Sequence, residues 1–543
     1  MDNTIFSFAH PGNEPSRDYS VGTEDRKFLK EAIKEIASDR AEVCPIIGGE
    51  VVKTGDTVNV VMPHDHKHVL ATAHKAGKAE TERAIAAALE AHSAWGRVPW
   101  TERCAISLKI ATLIEKKYRY ILNAATMMGQ SKSVWQAEIE SASETIDYFR
   151  YTPHYMSEIY KMQPVSEQGV INHVEYRPLE GFVYSISPFN FTALGANLPM
   201  APVLMGNTVV WKPATTSLLS SWYLMKIFTE AGVPAGVLNF LPGQGSVQSN
   251  VVLRHMDLAG IHFTGSTAVF RSLWKDIAEN LDTYKSYPRL VGETGGKDFI
   301  FMHASADVTE TAAAVMRGAF EYQGQKCSAT SRGYIPASRW EDFKGVLLGM
   351  MSEIKTGDPR DFHNFVNAVI DEPSFDNCMS YIDYAKNSQA AEILSGGTGD
   401  KSVGYFVQPT LIKTDDPHFK SMEEEIFGPI FTVYVYEDSD YEKALHLCDE
   451  TSPYALTGSI FASDRAALAK ASDILRYAAG NFYINDKTTA ASVGLQPFGG
   501  GRASGTNDKA GSVINLLRWT SAQSVKENLL PPRDYKYPYM EAE

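Results

Sequence analysis

From Phe182 to Phe263 the sequence repeats one unit: a short strand-like run, a cluster of turn residues, then a segment with helical spacing. The runs are Phe182-Val183-Tyr184-Ser185-Ile186, Thr208-Val209-Val210-Trp211, Val237-Leu238-Asn239-Phe240-Leu241 and Gly260-Ile261-His262-Phe263. Turn residues sit at the C-terminal end of each: Ser187-Pro188, Lys212-Pro213, a Gly-containing turn after Leu241, and Thr264-Gly265-Ser266. This alternation predicts a parallel, doubly wound α/β sheet. Ligands bind such sheets beyond the carboxyl ends of the strands.

A second α/β unit follows from about 291 to 487, with strand-like runs at Asp298–Met302, Ser331–Ile335 and Ile430–Tyr436. A chain of 543 residues is too long for one core, so two or three domains are expected. Residues 1–22 are polar, with Pro11, Gly12 and Pro15, and read as an extended surface arm. Asp25–Ser38 puts Phe28, Leu29, Ala32, Ile33 and Ile36 on one helical face, and residues 45–72 read as short β runs. Helices over about 79–94, 101–125 and 133–160 read as packing scaffold, Val170–Arg177 as a half-buried strand, and the Gly/Ala/Ser-rich stretch 488–511 as a mobile loop.

Composition excludes several classes. A formal charge of −14 with no basic run argues against nucleic acid or an anionic membrane surface as partner. No apolar run reaches the ~18 residues needed to span a bilayer. Met1-Asp2-Asn3-Thr4 opens neither a signal peptide nor a transit peptide, so the cytoplasm is expected, or the mitochondrial matrix for a processed form. Cys44, Cys104, Cys327, Cys378 and Cys448 are odd in number and scattered, which supports neither a disulfide framework nor a zinc site. His64-Asp65-His66-Lys67-His68 reads as a polar turn, and no metal is expected.

The chemistry centres on Cys327, in Gly324-Gln325-Lys326-Cys327-Ser328-Ala329. Its neighbours are small and polar, unlike those of a cysteine that only fills core volume, and a thiol becomes a nucleophile where its surroundings favour the thiolate. Upstream, Glu293 lies in Gly292-Glu293-Thr294-Gly295-Gly296-Lys297, a carboxylate on a tight, approachable turn. A thiol plus a carboxylate base suits a reaction that forms a thioester and hydrolyses it. The usual dinucleotide fingerprint is absent, since Gly243-Gln244-Gly245-Ser246-Val247-Gln248 lacks its third glycine. Phe263-Thr264-Gly265-Ser266-Thr267 offers another phosphate site, a strand end running into a helix N-terminus.

Ser187-Pro188-Phe189-Asn190-Phe191, Trp211-Lys212-Pro213-Ala214, Phe263-Thr264-Gly265-Ser266, the Glu293 and Cys327 motifs and Glu425-Ile426-Phe427-Gly428-Pro429 occur in that order. The series resembles that of the aldehyde dehydrogenase superfamily over roughly residues 25–530. The resemblance implies an α/β fold: a variant Rossmann cofactor domain (1–160 and 181–290), an α/β catalytic domain (291–487) and a small β-flap oligomerisation element (161–180 and 512–543). It also implies a substrate-anchoring loop (488–511) and a homodimer or higher homo-oligomer. Cys327 would attack the aldehyde, Asn190 and the Cys327 N–H would hold the oxyanion, and Glu293 would activate the hydrolytic water. Ser187, Lys212, Gly265, Ser266, Thr267, Glu425 and Phe427 would contact the cofactor, NAD. Thr215 stands where NAD-preferring members often carry a Glu.

Longer runs, among them Phe320–Ala329, Gly480–Lys487 and Arg502–Lys509, resemble the branch of the superfamily that oxidises L-glutamate γ-semialdehyde. Another small polar aldehyde is the alternative. Ser328, Phe191, Ala490, Ala491 and Phe498 would then hold the substrate. Members of that branch usually carry Gly followed by Ser or Ala where this chain has Ala490-Ala491, which retains the backbone N–H groups and removes a hydroxyl.

Overall fold

The computed structural model describes residues 6–542. Two seven-stranded sheets carry the chain. The first contains β1 (Phe182–Ile186), β2 (Thr208–Lys212), β3 (Leu238–Phe240), β4 (Leu258–Thr264) and β5 (Arg289–Glu293), in the order β5-β4-β1-β2-β3. These five are parallel, and the short antiparallel strands Ile46–Ile47 and Glu50–Val51 extend the sheet beyond β3. All seven residues of β4 are buried, as expected of a parallel strand covered on both faces. β5 is one of the strands that the sequence pattern did not show. Leu290-Val291 is too short an apolar run to stand out, and pairing with β4, Thr264 opposite Glu293, decides it. The first sheet therefore runs to Glu293, past the boundary at 291 read from the sequence.

The second sheet contains β6 (Asp298–Met302), β7 (Thr330–Pro336), β8 (Thr410–Thr414), β9 (Ile430–Tyr436), β10 (Thr457–Phe461) and β11 (Asn481–Ile484). Its order is β8-β9-β7-β6-β10-β11, with antiparallel Ala391–Ser395 outside β8. The first sheet lies between apolar clusters around Trp211 and around Val210, and the second between clusters around Phe299 and around Ile300. Among the described residues no helix is long and apolar enough to cross a membrane.

Four helices matter for the site: α1 (Thr145–Lys161), α2 (Thr192–Leu204), α3 (Thr267–Glu279) and α4 (Val308–Phe320). The chain enters α1 through a wide π-helical stretch, Glu138–Glu144. Such stretches re-aim side chains and recur at functional sites. This one carries Glu138, Glu140 and Glu144.

Two expectations are refined. Residues 6–22 run largely over the surface, as read, but they are anchored: Glu14 and Tyr19 are buried. Glu14 pairs with Arg119 at 2.7 Å and Arg150 at 2.6 Å, while Arg119 also reaches Glu138 at 2.7 Å. The Glu14 charge is thus satisfied inside the protein, while Arg17 and Asp18 stay exposed. At the other end, helix Val513–Leu517 and Trp519 pack on the first sheet, the Trp519 ring 4.7 Å from that of His262. Ser521–Asn528 leaves that body, forming an antiparallel ribbon with Val170–Arg177, and the chain beyond it stays exposed.

Candidate active site

Three chain segments converge on Cys327. Asn190 lies in the turn between β1 and α2, Glu293 ends β5, and Cys327 follows α4 and precedes β7. The approach to Cys327 is unusual, because Tyr322, Gln323 and Gly324 all take left-handed backbone conformations, with φ of 52°, 55° and 64°. Non-glycine residues hold that conformation only where their surroundings over-determine it. Gln323 meets the condition. Its Nε2 donates to the Ser131 and Ala368 carbonyls at 3.0 and 2.7 Å, and its Oε1 accepts from the Asn367 N–H at 2.9 Å. Opposite, a Cβ on Gly296 would collide with the Cys327 carbonyl, so the turn after Glu293 can sit against the nucleophile only as glycine.

Asn190 is buried and donates from Nδ2 to the Gln325 carbonyl at 3.2 Å, which leaves the second N–H of the amide available. Glu293 Oε2 is buried without a partner. Burial pushes its carboxyl up to about 8, eased by Lys509 and reinforced by Asp508. Burial, then the carboxylates of Glu293, Asp298 and Glu425, push the Cys327 thiol well above its ordinary value. Both shifts favour the uncharged forms, and burial leads each of them.

On the cofactor side, the Trp211 indole donates to Ser187 Oγ at 2.9 Å, locking Ser187 at the end of β1. Lys212 ends β2, and burial without a compensating carboxylate pulls its ammonium down to about 8. Gly265 leaves β4, its N–H donating to the Glu293 carbonyl at 3.2 Å, and a Cβ there would press on the Phe263 ring. Ser266 caps α3, accepting from the Val269 N–H at 3.3 Å. Thr267 turns towards the catalytic side: its Oγ1 donates to the Ala503 carbonyl and accepts from the Gly295 N–H, each at 3.3 Å. Glu425 Oε1 accepts from the Gly296 N–H at 2.9 Å, and Phe427, at φ 60°, sets its ring edge-on to Phe189. A desolvated, uncompensated ammonium at the end of β2 and a buried carboxylate bonded to the turn after Glu293 fit a dinucleotide, which offers hydroxyl and phosphate oxygens to the first and ribose hydroxyls to the second.

In front of Cys327 lies a cavity of about 440 Å³. Phe191, Ser328, Ala490, Ala491 and Phe498 line it, as does Thr489, whose Oγ1 is buried without a partner. The loop from 488 is packed rather than mobile. Thr488 Oγ1 donates to the Ser328 carbonyl at 2.7 Å and sits 2.8 Å from Thr330 Oγ1, so the loop is tied to the nucleophile's own segment. Small polar residues, read from the sequence as freedom, here permit close packing.

A family model for the aldehyde dehydrogenase family matches residues 51–525. The chain belongs to the aldehyde dehydrogenase family. Its relatives include Delta-1-pyrroline-5-carboxylate dehydrogenase, mitochondrial, of Dictyostelium discoideum, 53% identical over 98% of this chain and 96% of that one. The Delta-1-pyrroline-5-carboxylate dehydrogenase of Agaricus bisporus is 50% identical over 98% of each. Among solved structures, the Mycobacterium tuberculosis Delta-pyrroline-5-carboxylate dehydrogenase bound with NAD superposes with a TM-score of 0.96 at 46% identity, covering all of both chains.

Within this aldehyde dehydrogenase site, several residues escaped sequence reasoning. The helices over 79–160 read as scaffold, yet Glu140, Glu144, Asp147 and Tyr148 line the cavity. Glu140 pairs with buried Lys132 at 2.8 Å, and Asp147 is bonded by the 13–14 backbone and side chains. Glu144 is different. Burial, then neighbouring Glu140, raise its carboxyl to about 8. The run of carboxylates Glu138, Glu140, Glu144 and Asp147 in a stretch read as scaffold was the available clue. Lys326 also lines the cavity; it and Lys487 share Glu321, at 3.3 and 3.6 Å.

Proposed function

We propose that this chain oxidises L-glutamate γ-semialdehyde, the open form of Δ1-pyrroline-5-carboxylate, to L-glutamate with NAD, as the second step of proline breakdown. The observation that carries this reading is the polarity of the cavity. The cavity lining includes the Glu144 carboxyl, suited to an ammonium group. It also includes two ammonium groups that share one carboxylate, Thr489 Oγ1 and the 489–491 segment, suited to a carboxylate. Phe191 and Phe498 line the same space and suit a short aliphatic stem. The names of the relatives point to the same substrate.

Ser187, Lys212, Gly265, Ser266, Thr267, Glu425 and Phe427 hold the cofactor in this reading, and when bound it supplies the two-electron acceptor. Cys327 Sγ adds to the aldehyde carbon as its proton leaves to solvent water. The developing oxyanion takes the free N–H of Asn190 Nδ2 and the Cys327 backbone N–H, where one such donor typically contributes ~3–4 kcal/mol. Oxidation of the adduct leaves a thioester on Sγ. Glu293, once its own proton has passed to solvent, takes one at Oε2 from the water that opens it, and glutamate leaves.

Steady-state kinetics over a panel of aldehydes test the substrate. The expected kcat/KM for the semialdehyde exceeds that for propanal by ~100-fold or more, since propanal leaves both sets of polar groups unpaired. Parity would overturn the reading. The Val170–Arg177 and Ser521–Asn528 ribbon, with most of its second strand exposed, supports a homodimer or larger assembly. The Dictyostelium relative is named as mitochondrial, and the mitochondrial matrix or the cytoplasm is the compartment proposed here.

A further inference from the structure

The segment from Phe8 to Tyr19 is laid into the wall of the substrate cavity, where Asn13, Glu14 and Ser16 face the space. Its grip on the helices is extensive. The Phe8 N–H donates to Ser157 Oγ at 3.0 Å, and the Glu14 N–H donates to Asp147 Oδ1 at 2.7 Å. Ser16 Oγ lies 3.0 Å from Ser143 Oγ, and the Glu14 carboxylate holds Arg119 and Arg150.

Asn13 does something else. Its Nδ2 donates to Asp147 Oδ2 at 2.8 Å and to the Val493 carbonyl at 2.7 Å, and its Oδ1 accepts from the Tyr151 hydroxyl at 3.0 Å. Both donors and the acceptor of one amide are used, joining the N-terminal segment, α1 and the loop in front of Cys327. The loop is shaped to receive the contact. Val493 is buried in a cluster with Tyr148, Tyr151 and Ala193, and Gly494, at φ 80°, lies where a Cβ would collide with the Tyr151 ring. The cavity-lining residues Thr489, Ala490, Ala491 and Ser492 come immediately before the pinned carbonyl. Ala490 and Ala491 have no side-chain groups with which to brace themselves, so the course of the loop depends on partners elsewhere.

We propose that Asn13 is a positioning residue for the substrate-anchoring loop: by pinning the Val493 carbonyl to α1, it holds the 489–492 backbone in the shape that receives the substrate carboxylate. Affinity for an α-amino-acid aldehyde is thereby set from the N-terminal segment, without contact to the reacting carbon. A loop left to order itself on each binding event pays that entropy out of affinity, whereas a braced loop has paid it on folding. This proposal rests on the substrate reading above for its kinetic consequence, though not for the structural one.

The test is Asn13→Ala in the full chain, assayed with semialdehyde and with propanal, which has no carboxylate for the loop to hold. Backbone hydrogen exchange is followed over 488–496. The expected result is a KM for semialdehyde raised ~10-fold with kcat within about twofold, and kcat/KM for propanal within about twofold. Exchange should quicken in 488–496 and stay unchanged in α1. Parallel losses on both aldehydes, or unchanged exchange in the loop, would overturn the proposal. If Asn13→Ala does not fold, Tyr151→Phe removes only the bond to Oδ1 and should move loop exchange and semialdehyde KM in the same direction, by about two- to threefold. No movement there overturns it as well. If the parent enzyme shows no preference for semialdehyde over propanal, the substrate reading falls, and loop exchange still decides the role of Asn13.

Discussion

On the cofactor side of Cys327, Ser187, Lys212, Gly265, Ser266 and Thr267 stand at the ends of β1, β2 and β4, successive turns of one sheet. The substrate cavity is made differently. It draws on the N-terminal segment, the π-helical turn before α1, the start of α2, the Cys327 segment and the loop after β11. The cleft inherits its geometry from strand pairing, which spaces neighbouring strand ends at about 4.8 Å whatever the rest of the chain does. The cavity has no such ruler. Its shape depends on side chains such as Asn13, Arg119 and Thr488 that join segments far apart in sequence. Changes far from the chemistry should therefore reach aldehyde affinity sooner than NAD affinity.

The sharpest separation of the two halves is expected from Cys327→Ala. Turnover should fall by ~10⁴-fold or more, because the covalent route is gone, while NAD affinity measured by fluorescence titration stays within about threefold. Appreciable turnover in that variant would break the thioester mechanism.

Glu293→Gln should divide the catalytic half itself. Mixed with semialdehyde and excess NAD, it should release about one NADH per site in a burst and then slow ~10²–10⁴-fold, the usual cost of removing a general base. Loss of burst and steady state together would mean that Glu293 serves the turn at Gly295-Gly296 and not the water.

A matched pair then compares the halves directly. Glu144→Gln should raise the semialdehyde KM ~10- to 50-fold, in line with loss of a charge-assisted hydrogen bond, with NAD binding unchanged. Lys212→Met should weaken NAD ~10-fold and leave the aldehyde KM in place. If each variant disturbed both ligands equally, cleft and cavity would not be separable units.

The smallest effect is on stability. Burial lifts the folded Glu293 and Glu144 carboxyls to about 8 from an ordinary 4.5. Between those values the folded state keeps protons that the unfolded chain has lost, so stability falls as pH rises from about 5 to 8. Removing one such group should offset ~1–2 kcal/mol of that fall, the smaller figure reflecting screening by water in the open cavity. The melting temperature of Glu293→Gln should exceed the parent's by a degree or more at pH 8.5, and the gap should close towards pH 5. A gap that widened on acidification would mean that Glu293 is ionised in the folded protein.

Much of this molecule is written in short stretches of its sequence. Strand runs ending in turn residues, the glycine turn after Glu293 and the polar setting of Cys327 each depend on neighbours within a few positions, so alternation and spacing reveal them. Long apolar runs show which strands are covered on both faces, and hence that the sheet is parallel. β5 escaped because two apolar residues carry no period, and its place was decided by the hydrogen bonds that β4 offers. For the segment 6–22 and the loop from 488 the sequence showed only part of the arrangement, for a related reason. Polar and small residues suit solvent, and they suit equally a tight interior where every donor meets an acceptor; local sequence does not distinguish the two. Whether Glu14 is solvated or paired with Arg119 and Arg150, and whether Asn13 is idle or bound to three partners, depends on chain segments more than a hundred residues away. The sequence by itself showed the alternation of strands and helices and singled out Cys327 and Glu293 as the candidate reacting pair, because those signals are local. The tertiary structure decided which carboxylates line the cavity beside Cys327 and what braces the loop along it, because burial and partnership belong to the folded surroundings and not to the residue.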